Sequence, residues 1–117
     1  MASLLNMLLA EGFAVYITSD HGNVEAAGCG RPKEGVLAEI RGERVRIYSE
    51  DILRSRVAST FPDALCWKPL GLPEDFLPLL APLRRAFVPD GQRTVAHGGI
   101  TLEEMVVPFV RVVEGKQ

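Results

Sequence analysis

Cysteine and histidine are scarce in this chain, aromatic residues are few, and no long apolar run occurs. Its 117 residues include two cysteines, two histidines, one tryptophan and 7% aromatics. Cys29 and Cys66 stand too far apart for a Cys-x-x-Cys metal or redox pair, and two cysteines make no disulfide framework. Both read as free thiols in a reducing compartment. No stretch approaches the ~20 apolar residues that a membrane span needs. The run Met1–Ala10 is apolar but lacks a basic flank, is broken by Asn6 and runs into Glu11-Gly12, which is not a signal-peptide pattern. The expectation is a cytoplasmic protein with no membrane partner. Neither charge dominates: 13 basic against 15 acidic residues give a net charge of −2. That balance excludes general electrostatic binding of nucleic acid. Hydrophobic residues at 47% and charged residues at 24% exclude wholesale disorder. The length is that of one ordinary domain and too short for a multidomain enzyme.

The hydrophobic pattern predicts alternating helices and strands. Leu4, Leu5, Leu8 and Leu9 mark one helix face, which Gly12 stops. Phe13–Thr18 has the length and β-branched content of a buried strand. Residues 22–35, with four glycines and Pro32, read as a long loop. Val36–Ile40 and Arg44–Tyr48, flanking Arg41-Gly42-Glu43, predict a hairpin. Ser49 or Glu50 is placed to cap a helix through Ile52, Leu53, Val57 and Ala58 that ends near Phe61-Pro62. Four prolines in 69–82 predict an irregular excursion. Arg85–Val88 reads as a strand and Pro89-Asp90-Gly91 as a turn. Thr101-x-x-Glu104 is a capping box opening a short helix. Met105–Val113 is a last strand, with Pro108 marking an edge or bulge. The chain opens on a helix and a buried strand, the second half of an α/β unit, so part of the architecture is expected upstream.

Both histidines sit beside glycine. His21 lies in Ser19-Asp20-His21-Gly22-Asn23, just after the predicted buried strand, and His97 lies in Val95-Ala96-His97-Gly98-Gly99-Ile100. Ligand sites in open α/β sheets form beyond the carboxyl ends of strands. Neighbouring side chains on a strand point to opposite faces, so Asp20 and His21 can grip one ion only where the strand ends and the chain turns. Gly22 permits that turn. A carboxylate oxygen and an imidazole nitrogen suit zinc, and also manganese. By itself Asp20-His21-Gly22 reads first as a turn carrying a surface histidine, and His97-Gly98-Gly99 as a plain turn. Thr18 and Ser19 are possible nucleophiles, but strand-end hydroxyls usually satisfy backbone groups. Cys29 is a soft ligand or an inert thiol. The pairs Arg44/Arg46, Arg54/Arg56 and Arg84/Arg85 read as solvated faces balanced by acidic neighbours. Trp67 and Phe76 read as core or loop anchors.

Four segments together carry a resemblance. Ile17-Thr18-Ser19-Asp20-His21-Gly22-Asn23-Val24-Glu25-Ala26, then Gly28-Cys29-Gly30-Arg31-Pro32, then Arg44–Tyr48, then Val95-Ala96-His97-Gly98-Gly99-Ile100-Thr101-Leu102-Glu103-Glu104-Met105-Val106-Val107-Pro108-Phe109 resemble, in order, the C-terminal part of a PglZ domain of the alkaline phosphatase superfamily. The resemblance implies a parent enzyme that hydrolyses phosphoric esters with two metal ions, zinc or manganese. Asp20 and His21 match the adjacent Asp-His that binds one metal, and His97 matches the later histidine that binds the other. Such ions polarise the phosphoryl group, activate the nucleophile and neutralise the leaving oxygen. The family pattern also has an upstream Ser or Thr nucleophile and further Asp and His ligands, which the few residues before Phe13 do not supply. Residues 1–117 are therefore expected to be a C-terminal fragment with no catalytic nucleophile, inactive alone, whose partner is the N-terminal part of the same domain.

The fold implied is α/β, a partial mixed and mainly parallel sheet with flanking helices and a hairpin. The resemblance implies a phosphatase or phosphodiesterase linked to bacterial phage defence or signalling, with a phosphate ester, nucleotide or nucleic acid as substrate. Two alternatives stand beside it: a non-catalytic structural or partner-binding module, and a phosphomutase or sulfatase-like relative.

Overall fold

The computed structural model describes residues 1–33, 38–68 and 70–115. Helix α1, Ala2–Ala10, forms where the leucine spacing predicts it. Glu11 is its last cap, and Gly12 takes φ +82° while its N–H bonds Leu9 O at 3.0 Å. Left-handed backbone of that kind closes helices and favours glycine. No residue of α1 is fully buried.

Strand β1, Val15–Thr18, pairs antiparallel with the last strand of the chain, Phe109–Val112, in a two-stranded ribbon whose register sets Val15 against Val112 and Thr18 against Phe109. Tyr16 and Phe109 stack at 5.2 Å. The expected buried strand is instead largely exposed; only Val15 is half-buried. A ribbon of two strands offers no second layer to cover its faces. Phe13, Tyr16, Ile17, Phe109, Val110 and Val113 consequently meet solvent. The radius of gyration is 19.3 Å, against roughly 13–14 Å for a compact chain of this length.

The predicted loop at 22–35 contains strand β2, Val24–Gly28, the centre of a three-stranded sheet. Val24, Ala26 and Gly28 face inward and Glu25 outward, so the period of two is present but carried by small residues. Gly28 is there for close approach rather than a turn, since a Cβ would lie 2.0 Å from Pro89 O.

The third sheet has four strands. Strand β3, Ile40–Arg41, and β4, Val45–Tyr48, form the predicted hairpin; Val36 and Leu37 of its first arm lie outside the described residues. Helix α2, Asp51–Ala58, follows with Glu50 as its N-cap. Strand β5, Leu65–Cys66, and strand β6, Leu77–Leu80, complete the sheet in the order β3-β4-β6-β5. The predicted excursion at 69–82 thus carries a fully buried strand, and Pro69 lies outside the described residues. Pro78 is accommodated in β6 because its carbonyl still accepts from Trp67 N at 3.1 Å. Leu77 and Leu79, with Tyr48, Val57, Ala81 and Phe87, make the main core between this sheet and α2.

Strand β7, Arg85–Ala86, is shorter than Arg85–Val88. Residues 89–91 form the expected turn, with Gln92 N bonded to Pro89 O at 3.1 Å. Strand β8, Arg93–Ala96, was not foreseen; it leads to helix α3, Leu102–Met105, with its capping box in place, and to β9, Phe109–Val112, which starts just past Pro108.

Helices and strands mix as an α/β chain, but the expected mainly parallel sheet is not what forms. Among the described residues only β2 and β7 pair in parallel; the other pairings are antiparallel. Parallel neighbours need a long crossover, and most links here are too short or lead across the molecule. The nearest equivalent is β4-α2-β5, whose strands run the same way but are separated by β6. No helix among the described residues is long and apolar enough to cross a membrane.

Candidate metal centre

The β2–β8 pairing decides where the histidines go. Val24 lies opposite Ala96, so the chain entering β2 and the chain leaving β8 meet at one end of the sheet. His97 is the next residue after Ala96, and His21 precedes Val24 by three. Their imidazoles stack with centroids 3.8 Å apart and planes 12° from parallel. A shared site implies an approach within roughly 8 Å, and the rings are well inside it. The strands responsible are β2 and β8.

Asp20 joins the pair. Its Oδ1 accepts the His21 backbone N–H at 3.0 Å, and Ser19 Oγ donates to His21 O at 3.1 Å, which fixes the turn. His21 Nδ1 lies 2.9 Å from Gly22 O. A carbonyl only accepts, so Nδ1 carries the hydrogen and the neutral ring keeps a lone pair on Nε2. That Nε2 is 3.7 Å from Asp20 Oδ2. Two bonds of about 2.1 Å set at the tetrahedral angle would separate their donor atoms by about 3.4 Å. The donor types and their spacing therefore fit one ion held between Asp20 and His21. The Asp20 side chain is 87% exposed, open to further ligands or substrate. Among the described residues no group of three or more His, Cys, Asp or Glu side chains is arranged to hold a metal ion.

Beneath this site lies a group that the sequence reading missed. Arg44 and Arg46, expected on a solvated face, are both buried. The guanidinium of Arg46 lies over the Phe87 ring at 5.4 Å. That of Arg44 grips Glu104 with two bonds, Nε to Oε1 and Nη2 to Oε2, both 2.9 Å, and also donates to Arg85 O. Glu104 Oε1 accepts from Gly99 N at 2.8 Å, and Oε2 from Thr101 N at 3.1 Å and Thr101 Oγ1 at 2.8 Å. Its backbone carbonyl accepts from Gly22 N at 2.9 Å. One residue thus touches both histidine loops. A Cβ on Gly22 would fall 1.8 Å from Glu103 O, and one on Gly99 2.6 Å from Arg44 Nη2, so glycine is what lets both loops close on α3. The capping box announced Glu104. The signal for Arg44 was its period-two alignment with Arg46 and Tyr48, an aromatic residue on a face that has to be buried.

Burial alone would raise the Glu104 carboxyl, but the bonds from Arg44, Gly99 and Thr101 outweigh it and hold the pKa at about 2. The unfolded chain protonates the same group near 4.5. Stability from this group is therefore complete above pH 4.5 and falls as the pH drops towards 2, by about 3 kcal/mol in all. Urea titrations from pH 7 to pH 2 should show this loss, and an Arg44→Met chain should show a smaller one.

The remaining candidates fall outside the site. The Cys29 thiol, at the far end of β2, donates to Ala86 O at 3.1 Å, and burial pushes its pKa up. That is the inert alternative. The Thr18 and Ser19 hydroxyls bond backbone carbonyls. Arg54 pairs with Asp51 at 2.6 Å, and the exposed Arg84 with Glu103. Trp67 and Phe76 line an apolar cavity of about 260 Å³ beside Gly98 and Ile100, Trp67 being 42% exposed.

A family model described as the BREX system PglZ alkaline phosphatase-like domain matches residues 1–112. No curated protein matches the chain, and no solved structure does either.

Proposed function

The chain belongs to the family of BREX system PglZ alkaline phosphatase-like domains, and from that premise we propose that Asp20, His21 and His97 are the protein's ligands in a divalent-metal centre for phosphoester hydrolysis. The observation that carries the reading is the stacked pair His21–His97 with Asp20 beside it, formed by loops that are 76 positions apart in sequence. The rings approach well within the reach of one compact two-metal site, and one imidazole is assigned to each ion. Asp20 and His21 hold one, and His97 the other, with zinc preferred over manganese because imidazole is the commoner donor here. Bound there, the metal would supply charge for polarising a phosphoryl group and stabilising its leaving oxygen.

Asp20 contributes negative charge at the solvent-facing rim. In the neutral ring, the bond from His21 Nδ1 to Gly22 O leaves Nε2 as the atom that would meet the ion. His97 stacks on the His21 ring. The attacking hydroxyl and the remaining ligands come from an N-terminal part of the domain, which the exposed β1–β9 ribbon is suited to contact. The substrate is a phosphomonoester or phosphodiester, with a nucleotide or nucleic acid as the preferred class, in cytoplasmic phage defence or signalling. That same exposed ribbon is the observation favouring the second reading, a partner-binding module without chemistry.

The two readings separate in one set of measurements. Zinc or manganese titrated into the labelled 117-residue chain should perturb His21, His97 and Asp20 first, at weak affinity, with p-nitrophenyl phosphate and bis-p-nitrophenyl phosphate turned over at background rate. The domain completed by its N-terminal part should hydrolyse at least one of the two esters and lose that activity to a chelator. An absence of metal response at these three residues in both forms would sink the proposal.

A further inference from the structure

We infer that the buried Arg44–Glu104 pair is the positioning device of the histidine site: it sets the His21–His97 spacing from beneath and contributes no ligand itself. The β2–β8 ladder ends at Val24 and Ala96, and beyond it each histidine loop is anchored to α3 at a glycine. The His21 loop is held at Gly22, whose N–H bonds the Glu104 carbonyl at 2.9 Å. The His97 loop is held at Gly99, whose N–H bonds the Glu104 carboxylate at 2.8 Å. The two loops are thus referred to a single residue, and Glu104 is itself clamped by the Arg44 fork at 2.9 Å on each oxygen. The side chains of both partners are 1% exposed, so water cannot replace either bond. Arg44 in turn spans to Arg85 O, and its own carbonyl accepts Ala81 N at 2.9 Å, which ties the clamp to the main core.

Other bonds in the neighbourhood do not do this. The Thr101 hydroxyl bonds Glu104 Oε2 but reaches neither histidine loop. The Asp20–His21 backbone bond shapes one turn and says nothing about His97. Glu104 bonds both loops. Groups behind metal ligands commonly change metal affinity 10–100-fold when lost, because they fix ligand orientation. A bidentate arginine fork gives such a group a defined geometry as well as a charge partner.

The inference rests on the metal-centre reading only for its consequence, not for the ring spacing, so the test reads both separately. In the labelled 117-residue chain, the ring protons of His21 and His97 should show mutual ring-current shifts and inter-ring contacts by nuclear magnetic resonance. Glu104→Gln keeps an acceptor for Gly99 but breaks the charged fork. Gly99→Ala keeps the ion pair's atoms but drives a Cβ into them. Both variants should lose the inter-ring contacts while far-ultraviolet dichroism persists, and zinc alone should bind at least about tenfold more weakly. Thr101→Val should keep the ring contacts. In the unsubstituted chain the Gly22 and Gly99 amides should exchange slowly with solvent, a measurement that stands even where a variant fails to fold. Folded variants with unchanged ring contacts, or freely exchanging Gly22 and Gly99 amides, would overturn the inference. Lost ring contacts in a chain that never binds zinc would uphold the positioning role and reject the metal reading alone.

Discussion

Replacing Glu104 by alanine is expected to lower the unfolding free energy by about 3–5 kcal/mol. The reason is what remains afterwards. Arg44 would keep a buried cation with one backbone acceptor, Arg85 O, in place of a carboxylate bonded through both oxygens. Gly99 N and Thr101 N would lose their acceptors in a buried setting. Leaving a buried charge unpaired costs far more than the pair contributed while intact. Domains of this size have only about 5–15 kcal/mol in hand, so the variant should melt at sharply lower temperature or denaturant. The exposed pair Arg93–Glu25, bonded at a similar 2.8 Å, supplies the control. Water and salt screen that pair, and Arg93→Ala should leave the urea midpoint nearly unchanged. Equal losses in the two variants would mean that burial is not what gives the Glu104 pair its weight.

The same contrast explains what was and was not legible in the sequence. Helix α1 with its Gly12 stop, helix α2 and the Thr101–Glu104 cap were readable because their signals are local: leucine spacing, a glycine, a capping box. Strand β2 was hidden because Val24, Ala26 and Gly28 make a weak hydrophobic alternation, and glycine there reflects the closeness of Pro89 rather than a turn. Strand β6 was hidden by Pro78, whose usual disruptive meaning is lost where its carbonyl, not its missing N–H, makes the sheet contact. The direction of pairing was misread because a helix followed by an apolar strand suggests a parallel unit, whereas β1 in fact pairs antiparallel with β9 from the far end of the chain. Long-range register leaves no local mark.

The site divides along the same line. Asp20, His21 and His97 were legible as residue types in glycine-flanked turns, and their mutual approach followed from asking what one site would need. The agent of that approach, β2 against β8 with Glu104 beneath, was not legible, because it depends on a register and a buried ion pair. Arg44 was misread for a specific reason. An arginine is by default a surface residue, and only Tyr48 on the same strand face argued otherwise.

Asp20→Ala tests the chemistry itself. In the complete metal-loaded domain it should reduce phosphoester hydrolysis at least about a thousandfold, since a metal site contributes several kcal/mol of charge stabilisation and each 1.36 kcal/mol is a factor of ten. The fold should be indifferent to the change. The Asp20 side chain is 87% exposed, and its hydrogen bond reaches only the amide of the next residue. Unfolding midpoints of the two metal-free proteins should therefore coincide, which separates loss of a ligand from loss of structure. Asp20→Asn sharpens the point. It keeps an oxygen for the His21 amide, so the turn survives, but it removes the charge that faces His21 Nε2 across 3.7 Å. If Asp20 acts only by shaping the turn, the asparagine variant keeps most of its activity. If it is a ligand, asparagine and alanine fail alike, zinc affinity falls in both, and excess metal restores part of the rate. A folded Asp20→Ala enzyme with the parent's turnover would remove Asp20 from the site and leave the proposed metal centre without its carboxylate.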